Sequence, residues 1–346
     1  MDMLEAFRMQ AVACRLMGSP MYDSLLSRIA DDLMSGGVSA VVLAGHEDDT
    51  GPSALALRLM GSVHRLVLSR RAPALAAYYP SVGGSFEPDG AWRELRNLLA
   101  AQPEAVREWL DRPPQTNEVG RATALYGGVL QLPAPLRKPV RLFEIGSSGG
   151  LNLNADRFGY IDARGTGYGR LHSPVRLEPA WSGRDLARWP VAFTTREGSD
   201  VAPIDVSTET GRLALSAYVW PDQRARWERL RGGFAVAARR PPKVRRAAAG
   251  EYVASIALAR GTTTVLWHSV MWQYLRPEEQ ADVTASIERL GAAATVDSPF
   301  ARLFLEPWRR AAGADHEFLV VLRTWPGGEE RILGTSAGHG VPTTWE

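Results

Sequence analysis

The spacing of apolar residues changes character near residue 140. Before that point apolar positions recur every three or four residues, as in helices packed by one face. Leu4, Phe7, Ala11 and Leu16 fall roughly on one side of a first helix. Leu25, Ile29 and Leu33 predict a second, stopped by Gly36-Gly37. Residues 54–68 and 92–99 predict two more. In "DRPPQTNEVGRATALYGGVL" the pair Pro113-Pro114 breaks the chain, and a helix restarts near Thr116 or Asn117. Only residues 38–43 read as a strand in this half. The proline-rich connector "LPAPLRKP" then sets the expected boundary. It divides a helical cap and substrate domain over 1–135 from an α/β domain over 136–346.

From Val140 onward, short continuous apolar runs alternate with helical spacing. "VRLFEIG" predicts a buried strand, and residues 151–158 a helix after it. A polar, glycine-rich insertion covers about 161–188. "VAFTTREGSD" predicts a second strand ending in acids. "GRLALSAYVWPDQRARWERLRGGF" is helical, with Pro221 suited to a first helical position. "KVRRAAAGEYVASIAL" predicts a third strand ending near Gly250-Glu251, then a helix. "TTTVLWHSVMWQYL" supplies a fourth strand and "ARLFLEP" a fifth. Between them residues 277–290 form a helix with Val283, Ile287 and Leu290 on one face and Glu278 and Glu279 in its first turn. "EFLVVLRTWPGGEERILGTSAG" is a hairpin turning at Pro326-Gly327-Gly328. The pattern predicts a Rossmann-like, doubly wound, mostly parallel α/β sheet with an antiparallel hairpin at its C-terminal end, preceded by an all-helical N-terminal domain.

With 346 residues, 45% of them hydrophobic, the chain has ample material for a large core. A net charge of +2 gives no strong field, so neither nucleic acid nor a membrane is an expected partner. The single Cys14 excludes an intramolecular disulfide and a multi-cysteine metal site. "MDMLEAFRMQ" carries Asp2 and Glu5 with no continuous apolar run, so no signal peptide and a cytoplasmic location are expected. His46-Glu47-Asp48-Asp49 reads as a solvated loop, and no metal is expected.

The candidate chemistry lies in "RLFEIGSSGGLNLNADRFGY", residues 141–160. Gly146-Ser147-Ser148-Gly149-Gly150 fits G-x-S-x-G, a nucleophile elbow with Ser148 attacking and His316 or His339 following in the chain. The preceding region is mainly helical and has no His-Gly-Gly type oxyanion loop, which makes the serine hydrolase the lesser alternative. Read as a cofactor loop, Gly146 permits the tight turn, and Gly149 and Gly150 admit close backbone approach. The stretch lacks the second and third glycines of the dinucleotide pattern. Glu144, an acid inside an apolar strand, suits a cofactor with an ammonium group and no pyrophosphate. S-adenosylmethionine is such a cofactor.

The region from Arg141 onward resembles class I S-adenosylmethionine-dependent methyltransferases. The resemblance lies in the E-x-G-x-x-G-G loop, the acidic second strand end, the Gly-Glu near the third and the closing hairpin. Across its length the chain also resembles the bacterial DUF2332 family. The matching stretches are "HRLVL", "YYPSVGG", "TNEVGR", "EIGSSGGLNLNADRFGY", "VWPDQRARWERL", "LWHSVMWQYL" and the final "GHG". The methyltransferase resemblance implies methyl transfer to a small molecule bound between the domains. Gly146 and Gly149 would then line the methionine part of S-adenosylmethionine and Glu144 hold its amino end, with Ser147 and Asn152 also binding the cofactor. Asp200, or Glu197 beside it, would take the ribose hydroxyls and Glu251 the adenine. His268 is the candidate proton acceptor, with Ser269 and Asn117 at the substrate and Glu118 and Arg121 completing the catalytic set. Trp267, Trp272 and Tyr274 read as core rather than a cation cage. A non-catalytic ligand- or partner-binding protein on the same scaffold is the main alternative.

Overall fold

The computed structural model describes residues 2–49 and 54–346. Its chain forms two compact units, one of residues 1–116 and 208–227, the other of 117–207 and 228–346. The first division falls ahead of the proline-rich connector. Residues 117–130 pack on the β-rich unit through Asn117 and Thr123, and so belong with it.

Among the described residues, the regular elements of the first unit are helices. Met3–Leu16 starts where the Asp2 side chain accepts from Glu5 N–H, and Pro20–Met34 where Ser19 accepts from Tyr22 N–H. Phe7, Ala11 and Cys14 form the buried stripe of the first helix, whereas Leu16, expected on that face, is 80% exposed. Leu25, Leu26 and Ile29 join the same core, together with Leu59, Val63 and Leu66 of Leu55–Leu68. Residues 38–43, expected as a strand, are a helix: Asp32 Oδ2 accepts from Ser39 N–H and anchors its first turn. That local bond outweighs the β-branched composition.

The second unit is built on a nine-stranded mixed sheet. In chain order the strands are β1 (Val140–Ile145), β2 (Gly159–Ile161), β3 (Gly167–Gly169), β4 (Arg176–Leu177), β5 (Trp181–Gly183), β6 (Phe193–Asp200), β7 (Lys243–Arg246), β8 (Thr263–Ser269), β9 (Phe300–Arg309), β10 (His316–Trp325), β11 (Glu329–Ser336) and β12 (Thr343–Trp345). The sheet runs β5-β12-β11-β10-β9-β8-β1-β6-β7. The β9-β8-β1-β6-β7 block is parallel throughout, and β9 through β12 form an antiparallel meander. The expected insertion holds β3 and β4, which form a small separate sheet with β2 just ahead of it, and β5, which pairs with β12 at the main sheet's edge.

Two local expectations change. The third strand is only Lys243–Arg246, and Glu251 lies exposed on the helix Ala249–Ala254, not at a strand end. Glu279 Oε1 accepts from Ala249 N–H and starts that helix early. The helix expected over 151–158 is a 3₁₀ helix over Leu151–Arg157. The helix Pro277–Ala293 buries Val283, Ile287 and Leu290 against Phe143, Ile145 and Leu266 of the sheet, as its spacing requires.

Candidate functional site

Among the parallel strands, chain order and spatial order diverge at one place. β6 and β7 follow β1 on one side, whereas β8 and β9 lie on the other. The loops leaving the C-terminal ends of β1 and β8 therefore turn opposite ways, the arrangement that opens a crevice in α/β sheets. The glycine stretch leaves β1 there, and residues 269–272 leave β8.

The glycine stretch is held from three directions. Ser147 N–H donates to Ser199 O at 3.0 Å, Gly150 N–H to Ser147 O at 2.8 Å and Leu151 N–H to Asn117 Oδ1 at 2.8 Å. Ser148 N–H donates to Asp200 Oδ2 at 2.8 Å, and Asp200 Oδ1 accepts from Ala202 N–H at 2.9 Å. Asn152 Nδ2 donates to Glu118 O at 3.1 Å. Arg121 donates to Ser269 O at 3.2 Å and to Gly338 O at 3.1 Å. Asn117, Glu118 and Arg121 thus meet the β1 loop and the end of β8, and Arg121 acts electrostatically on Glu144.

This leaves the loop poor in donors. Four of its backbone N–H groups already have protein acceptors, so a pyrophosphate cradle of aligned N–H groups is not what the turn offers. What stands open is an acceptor. Glu144 is 3% exposed and its Oε2 has no hydrogen-bond partner. Burial pushes its carboxyl up to about 8; the nearby Trp267 indole and Ser147 hydroxyl pull it down, Asp200 adds to the rise and Arg121 opposes it. Trp267 faces Glu144 across the β1–β8 ladder, and its buried indole N–H is the donor nearest to that carboxyl, close enough to lower its pKa but not aligned as a regular hydrogen bond. The Ser147 hydroxyl donates to Glu144's backbone carbonyl oxygen at 2.9 Å.

Both loops carry backbone strain. Ser148 has φ 52° and Val270 φ 50°. Left-handed backbone is costly for a β-branched residue. Val270 leads into Met271, whose side chain lies where a Cβ on Gly146 would come within 2.9 Å. Gly146, at φ 67°, is thus needed for both its backbone angle and Met271's room. A Cβ on Gly150 would meet Val244 at 2.6 Å and Pro242 at 2.8 Å, so that glycine serves packing.

His268 corrects the expectation of a proton acceptor. It is fully buried, with Nδ1 2.8 Å from Glu306 Oε1 and Nε2 3.1 Å from the Arg302 guanidinium. A guanidinium only donates, so Nε2 accepts and Nδ1 carries the hydrogen. Burial, the largest influence, lowers its pKa, and the ring stacks between Trp272 and Phe304. Neither nitrogen is open to a substrate. Glu306 also accepts from Met271 and Trp272 N–H, fixing the turn after β8. Glu306 and Arg302 escaped the sequence reading. Their signal was two charges four apart in a strand, which places them on one face.

The remaining candidates are scattered. Glu197 lies three residues inside β6, opposite Phe143, and so is not an alternative to Asp200 at the strand end. Trp267 and Trp272 are core, whereas Tyr274 is 62% exposed. The Ser148 hydroxyl is buried and has no hydrogen-bond partner, and therefore no base; a serine nucleophile needs one in reach. His46 Nδ1 lies 2.9 Å from Asp49 Oδ2, which Arg58 also binds, so a protein cation takes that acid. No described helix is long and apolar enough to cross a membrane.

The chain matches, over residues 4–345, the model of a family described as "Uncharacterized protein conserved in bacteria (DUF2332)", and it belongs to that family. No curated protein and no solved structure matches it.

Proposed function

We propose that this member of the DUF2332 family binds S-adenosylmethionine in the crevice between β1 and β8 of a Rossmann-like second unit, and transfers its methyl group to a small molecule. The observation that carries the reading is the buried Glu144 carboxyl with an unpartnered oxygen, beside a loop whose N–H groups are largely taken. A site offering an acceptor and few donors suits a cation. S-adenosylmethionine presents an ammonium and a sulfonium and has no phosphate. Glu144 would hold the ammonium, with the backbone of Gly146, Ser147 and Gly149 beside the methionine part and Asn152, whose Oδ1 is unpartnered, adding an acceptor. The two bonds Asp200 already accepts make it first a clamp on the loop; each oxygen keeps a lone pair toward a ribose hydroxyl.

The bound cofactor would supply an electrophilic methyl group. The chain's part is alignment: Asn117 and Glu118 set the glycine loop, and Arg121 ties Gly338 to the end of β8 at Ser269. Metal is not part of the proposal, and neither a nucleic acid nor a membrane partner enters it; the cytoplasm is the proposed location.

Calorimetric titration of the full chain with S-adenosylmethionine and S-adenosylhomocysteine tests the reading. Saturable binding of both, abolished by Glu144→Gln, is the expected result. No heat with either ligand would overturn it. Binding without turnover on any acceptor would favour the ligand-binding alternative, and a fluorophosphonate adduct on Ser148 would favour the hydrolase.

A further inference from the structure

Two stretches away from the β1 and β8 loops, "HRLVL" and "YYPSVGG", come together in the fold. Within the first unit they meet at a single hydrogen bond: His64 Nε2 lies 2.8 Å from Ser81 Oγ. His64 Nδ1 lies 3.1 Å from the carbonyl oxygen of Ala217. A carbonyl can only accept, so Nδ1 carries the hydrogen and Nε2 is left as the acceptor. The Ser81 hydroxyl must then donate to it. This is the arrangement of an activated nucleophile: hydroxyl, base, and a third group that orients the base.

The surroundings fit that use. His64 is fully buried, whereas Ser81 is only half-buried, on the 3₁₀ turn Pro80–Val82. Tyr79 and Trp227 flank the imidazole at ring distances of 5.5 and 5.6 Å, and the Tyr79 hydroxyl and Trp227 Nε1 have no hydrogen-bond partner. The glycines after Ser81 are structural. Gly83 has φ 92°, and a Cβ on Gly84 would run into the Ala76 and Ala77 carbonyls. They fold the chain back and leave Ser81 at the turn.

We infer that Ser81 and His64 form a nucleophile–base pair that cleaves small uncharged carboxylic esters, independently of any cofactor in the second unit. Ser81 Oγ attacks the ester carbonyl carbon while its proton passes to His64 Nε2. The tetrahedral adduct collapses, the C–O bond to the alcohol breaks, and the alcohol leaves with the proton from Nε2. Water then attacks the acyl-serine, His64 takes the water's proton, and Ser81 regains it as the carboxylic acid departs. The sum is ester plus water giving acid plus alcohol.

Burial lowers the His64 pKa to about 3, and the Ala217 carbonyl opposes that; no charged side chain acts on it. The imidazole is therefore in its base form throughout the neutral range. It becomes positive only while the negative carbonyl oxygen of the adduct lies beside it, and low polarity strengthens that attraction.

The test is a fluorophosphonate probe on the full chain, read by intact mass and peptide mapping, with hydrolysis of p-nitrophenyl acetate in parallel. The expected result is one adduct, on Ser81, and a hydrolysis rate that falls ~100-fold or more in Ser81→Ala. Ser81→Ala removes a half-buried hydroxyl on a turn and its one hydrogen bond to His64, a small enough loss that the variant is expected to fold. The labelling rate should be flat from pH 5 to pH 8. No adduct, an adduct that persists in Ser81→Ala, or a rate rising ten-fold per pH unit, as hydroxide attack would give, each overturns the proposal.

Discussion

His268 and His64 are both fully buried, and both carry their hydrogen on Nδ1 because an oxygen acceptor holds it there. They differ at the other nitrogen. His268 Nε2 accepts from the Arg302 guanidinium, a group that keeps its proton at any ordinary pH. His64 Nε2 accepts from a serine hydroxyl, a group that can lose one to a base during attack. The same tautomer therefore fixes a turn in one unit and primes a nucleophile in the other. Burial and tautomer do not decide a histidine's role; the chemistry of the donor on Nε2 does.

That contrast can be broken most sharply at Glu306. Glu306→Ala leaves His268 Nδ1 and two backbone N–H groups without their acceptor in the core. A loss of ~3–5 kcal/mol in urea-unfolding free energy is expected. Glu306→Gln, which keeps one acceptor oxygen, should cost less. A loss under about 1 kcal/mol in Glu306→Ala would mean that the network does not hold the turn.

A second effect is set by pH. The Glu144 carboxyl sits near 4.5 when unfolded and at about 8 in the fold. Between those values the folded chain holds a proton that the unfolded chain has released. Stability contributed by this group is therefore fullest below about pH 4.5 and falls as pH rises to about 8. The change is on the order of a few kcal/mol, and Glu144→Gln should remove it. Urea midpoints of both proteins at pH 5 and pH 8.5 measure the difference; parallel changes in the two would contradict it.

Ser81→Ala offers the counterpart to Glu306→Ala. It deletes one hydrogen bond to a neutral histidine, and about 1 kcal/mol of stability is the expected cost. If His64 served only to hold the turn, that small loss would be its whole consequence and esterase activity would be unchanged. Val270→Gly carries the smallest effect. It relieves left-handed strain and adds unfolded-state entropy, for a net gain of ~1 kcal/mol or less. A clear loss of thermal stability would show that the Val270 side chain contributes packing that outweighs its strain.

The period-two and period-three patterns carried most of the architecture. β1, β6, β8, β9 and the β10–β11 hairpin lie where apolar runs predict them. The misses come from interactions that a periodicity does not contain. Residues 38–43 are helical because Asp32, six residues before that segment, anchors its start. Glu251 left its expected strand end because Glu279, distant in sequence, caps the helix that carries it. At the ends of β1 and β8, composition exposed Glu144 as an acid in an apolar strand, and the glycine spacing exposed the turn. The occupied nitrogens of His268 were hidden, since they depend on Arg302 and Glu306 of another strand. The His64–Ser81 bond was hidden for the same reason: two unremarkable stretches meet only once the helices have packed.

The central claim is that Glu144 awaits a cation. It is tested most directly by titrating S-adenosylmethionine at pH 7 in two buffers of different ionisation enthalpy. The free carboxyl, at about 8, is mostly protonated there, and an arriving ammonium should drive the proton off. Saturable binding with release of ~1 proton per ligand, absent in Glu144→Gln, is the expected result. Binding with the same heat in both buffers, or no binding at all, would contradict it.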